Sequence, residues 1–227
     1  MLVILFTIIL TILAYLGARY LFMRYKSPWL NVVVISTAII IITLLVLDIP
    51  YQAYSQGADI MTYLLGPATV ALAVPLYKNR LLLKKYGWAI FVGIGAGSLV
   101  SVLTAVFITI YGGLTREVII SIASKSVTIP FAVEISRLSG GNAALAAAFV
   151  VATGTFGSVF GRGLLTMMRI TDPVARGLAL GTVSHGQGTA MALLEGEQQG
   201  AMAGMAMALA GMLTSACAPY FLNLWIK

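Results

Sequence analysis

The chain has a single histidine, His185, in the stretch GTVSHGQGTA, residues 181–190. Ser184, Gln187 and Thr189 surround it with hydrogen-bonding groups, and Gly186 and Gly188 loosen the backbone. A second polar stretch, SKSVTIP at 124–130, holds the hydroxyls Ser124, Ser126 and Thr128, the amine Lys125, and Pro130. Asn142 lies just beyond it. An interrupted helix frees backbone amides, and the N-terminus of its second half favours an anion. Two such elements facing each other suit a small carboxylate. The expected contacts are Ser126, Thr128, Pro130 and Asn142 from one stretch, and Ser184, His185, Gly186, Gln187, Gly188 and Thr189 from the other.

Two titratable groups could carry a coupled proton. His185 has a side chain that titrates near neutral pH when unperturbed, and Glu134 is a carboxylate inside an apolar segment, where charges are usually functional. The alternative for Glu134 is a plain ion pair with Arg137 one turn on. Lys125, Arg137 and Arg176 are candidate charges along a pathway, while Glu195 and Glu197 read as solvated caps at a membrane edge. There is no phosphate loop, no metal-ligand spacing and no nucleophile paired with a base. No enzyme, metal or cofactor is expected.

Both stretches lie inside apolar runs. Of the 227 residues 60% are hydrophobic and only 9% charged, and the mean hydropathy is +0.99. Soluble domains carry about 25% charged residues, so lipid must cover most of this surface. The net charge of +7 comes from basic residues between apolar segments, as in Arg19, Arg24 and Lys26, then Lys78, Arg80, Lys84 and Lys85. That is the pattern of cytoplasmic membrane loops touching anionic lipid, not of nucleic-acid binding. The one cysteine, Cys217, reads as a buried small hydrophobe.

Apolar segments run over 2–23, 29–47, 60–77, 86–110, 116–138, 143–161, 177–195 and 198–226, with 162–176 as an interfacial piece. The third is expected to break at Gly66-Pro67. The basic turn 24–28 is cytoplasmic by the positive-inside rule, the acidic link Asp48 to Asp59 external, and the N-terminus outside. Simple alternation then puts Arg162 and Arg169 outside, against the rule, unless some segment is re-entrant. A weak repeat lays GPATVALAVPLYK (66–78) over KSVTIPFAVEISR (125–137) at a spacing of 59. Repeats with interrupted helices point to a transporter site. The expected fold is all-α: a polytopic integral membrane bundle of about eight segments, two or three of them broken or re-entrant. One domain spans 1–227, with 1–58 as a two-helix scaffold and 59–227 as the transport core.

Four motifs together, GPATVALAVPLYKN (66–79), SVTIPFAVEIS (126–136), TGTFGSVFG (153–161) and ARGLALGTVSHGQGTAMALLEGE (175–197), resemble the LrgB/CidB family, also called antiholin-like or autolysis-modulator proteins. The resemblance runs over nearly the whole chain. It implies a multi-pass protein of the bacterial cell membrane. It also implies a small holin-like partner of the LrgA/CidA type and a role in controlling murein hydrolase activity and autolysis. A plastid relative carries glycolate and glycerate, and bacterial relatives are linked to pyruvate and similar short carboxylates. Gln187 stands between the glycines where the family pattern leads one to expect a small apolar residue.

Two functions are therefore in view. One is a proton-linked carrier of small monocarboxylates, with a homodimer supplying the scaffold. The other is a non-transporting subunit that binds the holin-like partner.

Overall fold

The structure is a computed structural model of the chain, and it describes residues 2–25, 27, 30–71 and 73–225. Lys26 and Pro28 of the basic turn lie outside the described residues. Every element is helical among those residues: α1 (Leu2–Tyr25), α2 (Val32–Val46), α3 (Tyr51–Thr62), α4 (Leu65–Ala71), α5 (Ala73–Lys78), α6 (Arg80–Tyr111), α7 (Arg116–Ala123), α8 (Ile129–Ser139), α9 (Ala143–Met167), α10 (Pro173–Glu195) and α11 (Glu197–Trp225). Four of them are long and apolar enough to cross a bilayer, at Val3–Tyr25, Arg80–Tyr111, Ala143–Met167 and Glu197–Leu222, and Val32–Val46 is a shorter apolar helix. The architecture is that of a helical membrane bundle.

The chain forms two units, Met1–Val70 and Ala71–Lys227. In the first unit α3 folds back onto α1: Gly57 sits against Thr7, leaving no room for a side chain, and Thr11 Oγ1 lies 3.0 Å from Tyr54 Oη. The acidic link read as a loop is thus largely helix. Gly66 and Pro67 do not break a helix either. The break is the turn at Tyr63–Leu64, and Pro67 lies in the first turn of α4, where a missing N–H removes no helical bond.

In the second unit α6 and α11 run parallel. Ile90 and Ile94 near the start of α6 pack with Met202, Met205 and Val174, while Val106 near its end packs with Ala218 and Leu222. α9 runs the other way and packs on the two helical hairpins that fill the bundle.

The first hairpin is α7–α8. Thr128 is extended at the start of α8, and Pro130 occupies its first turn, where proline is tolerated. Gly140, at φ 83°, ends α8 in a left-handed cap. The arms are tied at their base: Asn142 Nδ2 donates to Glu117 Oε1 at 3.0 Å, and the Asn142 amide donates to Ser121 Oγ at 2.8 Å. The segment read as one span, 116–138, is therefore re-entrant. Both its ends lie on one side of the bundle, the side on which α9 begins.

The second hairpin is α10 itself. Helical geometry fails at His185, which has φ 41° and ψ −127°. Residues 173–184 form one arm and 186–195 the other, and Gly188 packs against the carbonyl of Leu180 so closely that no Cβ fits. Asp172 caps the first arm by accepting from the Ala175 amide at 2.8 Å, with Pro173 behind it. The expected unwinding at Gly186 and Gly188 is thus centred on His185, and Gly188 serves the close approach of the arms. The expected interfacial piece at 162–176 is instead the end of α9, a short turn, and the start of this hairpin.

Candidate functional site

The two hairpins come in from opposite sides and reach the same depth. His185 Nε2–H donates to the carbonyl of Val150 on α9 at 3.0 Å. Val150 lies about 12 Å along α9 from Asn142 and about 18 Å from Arg162 at the helical rise, and a hydrocarbon core is about 30 Å thick. The Val150 side chain belongs to the cluster that holds Ala123 and Val127 of the first tip. One residue of α9 thus separates the two tips.

At the first tip Lys125 Nζ donates to Ser101 Oγ at 2.9 Å and to Ser126 Oγ at 3.2 Å. The two serine hydroxyls lie 2.7 Å apart. Ser124 Oγ turns back to the Ala132 carbonyl at 3.4 Å. A narrow crevice between Ser98, Ser101, Ser124, Ser126 and Thr214 holds these groups, with Val102 and Val127 as apolar wall. Ser98 Oγ and Thr128 Oγ1 are buried without a hydrogen-bond partner, which leaves their desolvation uncompensated.

At the second tip Gln187 Oε1 accepts from Thr155 Oγ1 at 3.2 Å, and Thr189 Oγ1 donates to the His185 carbonyl at 2.8 Å. Three glycines of α9 make the seat: Gly154 under His185, Gly157 under Ser184 and Gly161 under Leu180. Small residues allow this approach of helices. A Cβ on Gly186 would stand 3.8 Å from Met207 Sδ.

The base of the second hairpin is an ion-pair cluster. Arg176 Nε donates to Glu195 Oε2 at 2.8 Å, and Arg162 Nε donates to Glu195 Oε1 at 2.9 Å. This base lies at the edge of the bundle, beyond the apolar stretch of the hairpin. The Arg176 hydrogen bond there holds the Glu195 carboxyl below the usual carboxylate range against its own burial, with Arg162 adding to the effect. Glu195 is thus a tie between the two ends of one hairpin rather than a solvated cap.

The structure brings Ser126, Thr128, Pro130 and Lys125 together at one tip, and Ser184, His185, Gly186, Gln187, Gly188 and Thr189 at the other. It places Asn142 elsewhere, at the base of the first hairpin, where its side chain accepts from Ala144 N and Leu145 N. Arg176 is likewise at a base. Glu134 and Arg137 lie on the exposed face of α8, and among the described residues no ion pair joins them. Cys217 is exposed, on an apolar groove that it shares with Phe91 and Phe221, because that face of α11 turns outward. Among the described residues no cluster of His, Cys, Asp and Glu could hold a metal.

Sequence reading missed Ser98, Ser101, Thr155 and Thr214. The signal available was polarity at helical spacing, Ser98 and Ser101 being three apart within the apolar stretch of α6.

Similar proteins match the chain over nearly its whole length. The chain is 35% identical to Uncharacterized protein YwbG of Bacillus subtilis (strain 168) over 217 residues, 96% of each chain. It is 33% identical to Holin-like protein CidB of Staphylococcus aureus (strain N315), covering 96% of this chain and 95% of that one. A third relative, Uncharacterized protein YxaC of Bacillus subtilis (strain 168), is 33% identical, covering 96% of this chain and 94% of that one. No solved structure matches the chain. Residues 11–224 match the LrgB-like family, and a match over almost the whole chain, with relatives above 30% identity, makes this protein a member of it.

Proposed function

We propose that this protein is a carrier of small monocarboxylates, of the pyruvate, glycolate and short-chain acid type, linked to protons. The observation that carries the reading is the convergence of two polar hairpin tips at one depth from opposite sides, on either side of Val150. Non-helical backbone at membrane depth persists where it lines a cavity or is buried in protein, and opposed interrupted helices are the recurring frame of carrier sites. The carboxylate meets Lys125, Ser126 and Thr128 at one tip and the backbone of 184–189 at the other. Opening at one hairpin base and then at the other gives alternating access.

Because 116–138 folds back, Arg162, Arg169 and Arg176 fall on the side of Arg80, Lys84 and Lys85. The positive-inside rule then makes that side cytoplasmic, in a bacterial cell membrane. The conflict created by simple alternation disappears. We take a homodimer to supply the scaffold.

The test is uptake of labelled pyruvate, glycolate and acetate by liposomes containing this protein alone, with and without an inward proton gradient. Saturable uptake, lost in Thr128→Val, is the expected result. Thr128 Oγ1 has no partner in the fold, so this substitution leaves stability nearly unchanged. Uptake no greater than in empty liposomes, for protein shown to be folded and tested both alone and with a holin-like partner, overturns the reading.

A second reading is favoured by the name of a relative, Holin-like protein CidB: a subunit that binds a small holin-like membrane protein and regulates it. Repeating the assay with that partner separates an obligate complex from a non-transporting regulator. Control of murein hydrolase activity follows in either case, through the partner or through altered carboxylate flux.

A further inference from the structure

Lys125 stands at mid-depth. It lies eight residues along the first hairpin from Glu117, about 12 Å at the helical rise, the same depth as Val150 measured from Asn142. Its ammonium rests on two hydroxyl oxygens, Ser101 Oγ at 2.9 Å and Ser126 Oγ at 3.2 Å. Neither oxygen carries charge. The two ion pairs among the described residues both belong to Glu195, so among those residues no carboxylate pairs with Lys125. Ser98 Oγ lines the crevice that holds those two serines, buried and without a partner. A cation held by two hydroxyls and no carboxylate, with an unused donor in the crevice of those same serines, suits one anionic group.

The groups that receive the Lys125 ammonium are the hydroxyls of Ser101 on α6 and Ser126 at the tip, and Ser98, Ser124 and Thr214 line the crevice around those two serines. The charged residues of those elements lie elsewhere in the fold. Arg80, Lys84 and Lys85 are in the first turns of α6, Arg116 and Glu117 open α7, and Glu197 opens α11. Glu134 and Arg137 are on the exposed face of α8, and Arg162 is engaged by Glu195. His185, across Val150, has its Nε2–H committed to a backbone carbonyl.

We propose that Lys125 is both the counter-ion of the carried carboxylate and the group that carries the coupled proton, an inference that rests on the transport reading above. Protonated lysine binds the carboxylate, and the loaded site crosses with no net charge. On the far side the carboxylate leaves, the ammonium gives its proton to water, and the neutral amine returns. One carboxylate and one proton move per cycle, no bond other than N–H is broken, and the charge balances.

The experiment uses the full chain in liposomes with labelled pyruvate as the probe. It measures net uptake driven by a proton gradient, and exchange of external for internal pyruvate. In the wild type, net uptake is expected to be unchanged when valinomycin and potassium impose a membrane potential. Lys125→Arg keeps its charge at every working pH, so it is expected to retain exchange within about threefold while losing net uptake by about tenfold or more. Lys125→Met is expected to lose both. Net uptake by Lys125→Arg at the wild-type rate overturns the proposal, as does exchange or net uptake retained by Lys125→Met. Wild-type uptake driven by the imposed potential overturns it without reference to any variant. Failure of the wild type to take up or exchange pyruvate, both alone and with a holin-like partner, overturns the transport reading and this one together. Wild-type transport with unaltered variants overturns this one alone.

Discussion

The imidazole of His185 lies directly over Gly154, and its Nε2–H reaches the carbonyl of Val150 at 3.0 Å. A Cβ on Gly154 would stand 2.5 Å from the ring. The bond and the bare glycine together hold a non-glycine residue at φ 41°. Such backbone costs about 1–3 kcal/mol, and losing a buried hydrogen bond costs about 1–3 kcal/mol. His185→Ala keeps the strain and loses the bond. His185→Gly loses the bond and relieves the strain. The glycine variant is therefore expected to melt above the alanine variant, reversing the usual order within helices. Thermal unfolding in detergent reads it, and alanine melting above glycine would show that the tip is unstrained. Both variants are expected to insert and to lose transport.

Ser184 packs onto Gly157 with no space for a methyl group between them. Gly157→Ala is expected to cost about 1–3 kcal/mol through overpacking. Adding Ser184→Gly removes the atoms it meets and is expected to restore more than half of that loss. A double-mutant cycle measures the coupling. Additive effects would mean that the hairpin does not seat on α9 at this point.

Glu195 is held below the ordinary carboxylate range by Arg176 and Arg162. A depressed folded-state value means stability that is fully present above the unfolded carboxylate value of about 4.3 and is lost as pH falls through the folded one. The gap in melting temperature between wild type and Glu195→Gln is expected to be constant from neutral pH down to about pH 5 and to close below it. A gap that stays open in acid would remove the ion pairs as its cause.

The two hairpins fix the sidedness of the loops. In a Cys217→Ser background, Gly113→Cys and Gly140→Cys are expected to react with an impermeant thiol reagent from one side. Arg169→Cys and Gly196→Cys are expected to react from the other. Labelling of 113 and 140 from opposite sides would make 116–138 a true span.

Some of this was legible in the residues and some was not. Both breaks lie within the polar stretches 124–130 and 181–190, because glycine, proline and hydroxyl residues inside an apolar run have few other uses. The folding back of 116–138 was not legible from hydropathy, since arms of 8 and 11 residues sum to the apolar length of one span. The trace it left was the misplaced charge of Arg162 and Arg169. Ser126 and His185, one at each tip, stand 59 positions apart, the spacing of the weak repeat, and each hairpin precedes a long helix. Which nitrogen of His185 bonds, and what Ser101 touches, depend on partners tens of residues away, which local pattern does not encode.

The two re-entrant hairpins also dictate an order of assembly. Neither can stay in a bilayer alone, because the backbone at its tip would face hydrocarbon with its polar groups unmet. The first finds α6 already synthesised when it emerges and meets α9 next, but α11 completes its wall, with Thr214 lining its crevice and Gly211 against Phe131. The second emerges before α11, against which both its arms lie: Gly181 touches Ala203, and Gly200 touches Leu193. Until the last helix inserts, residues 173–195 have half a wall and must wait at the membrane surface. A chain arrested before α11 would therefore keep this hairpin open to water, and a quality-control protease would find it there first.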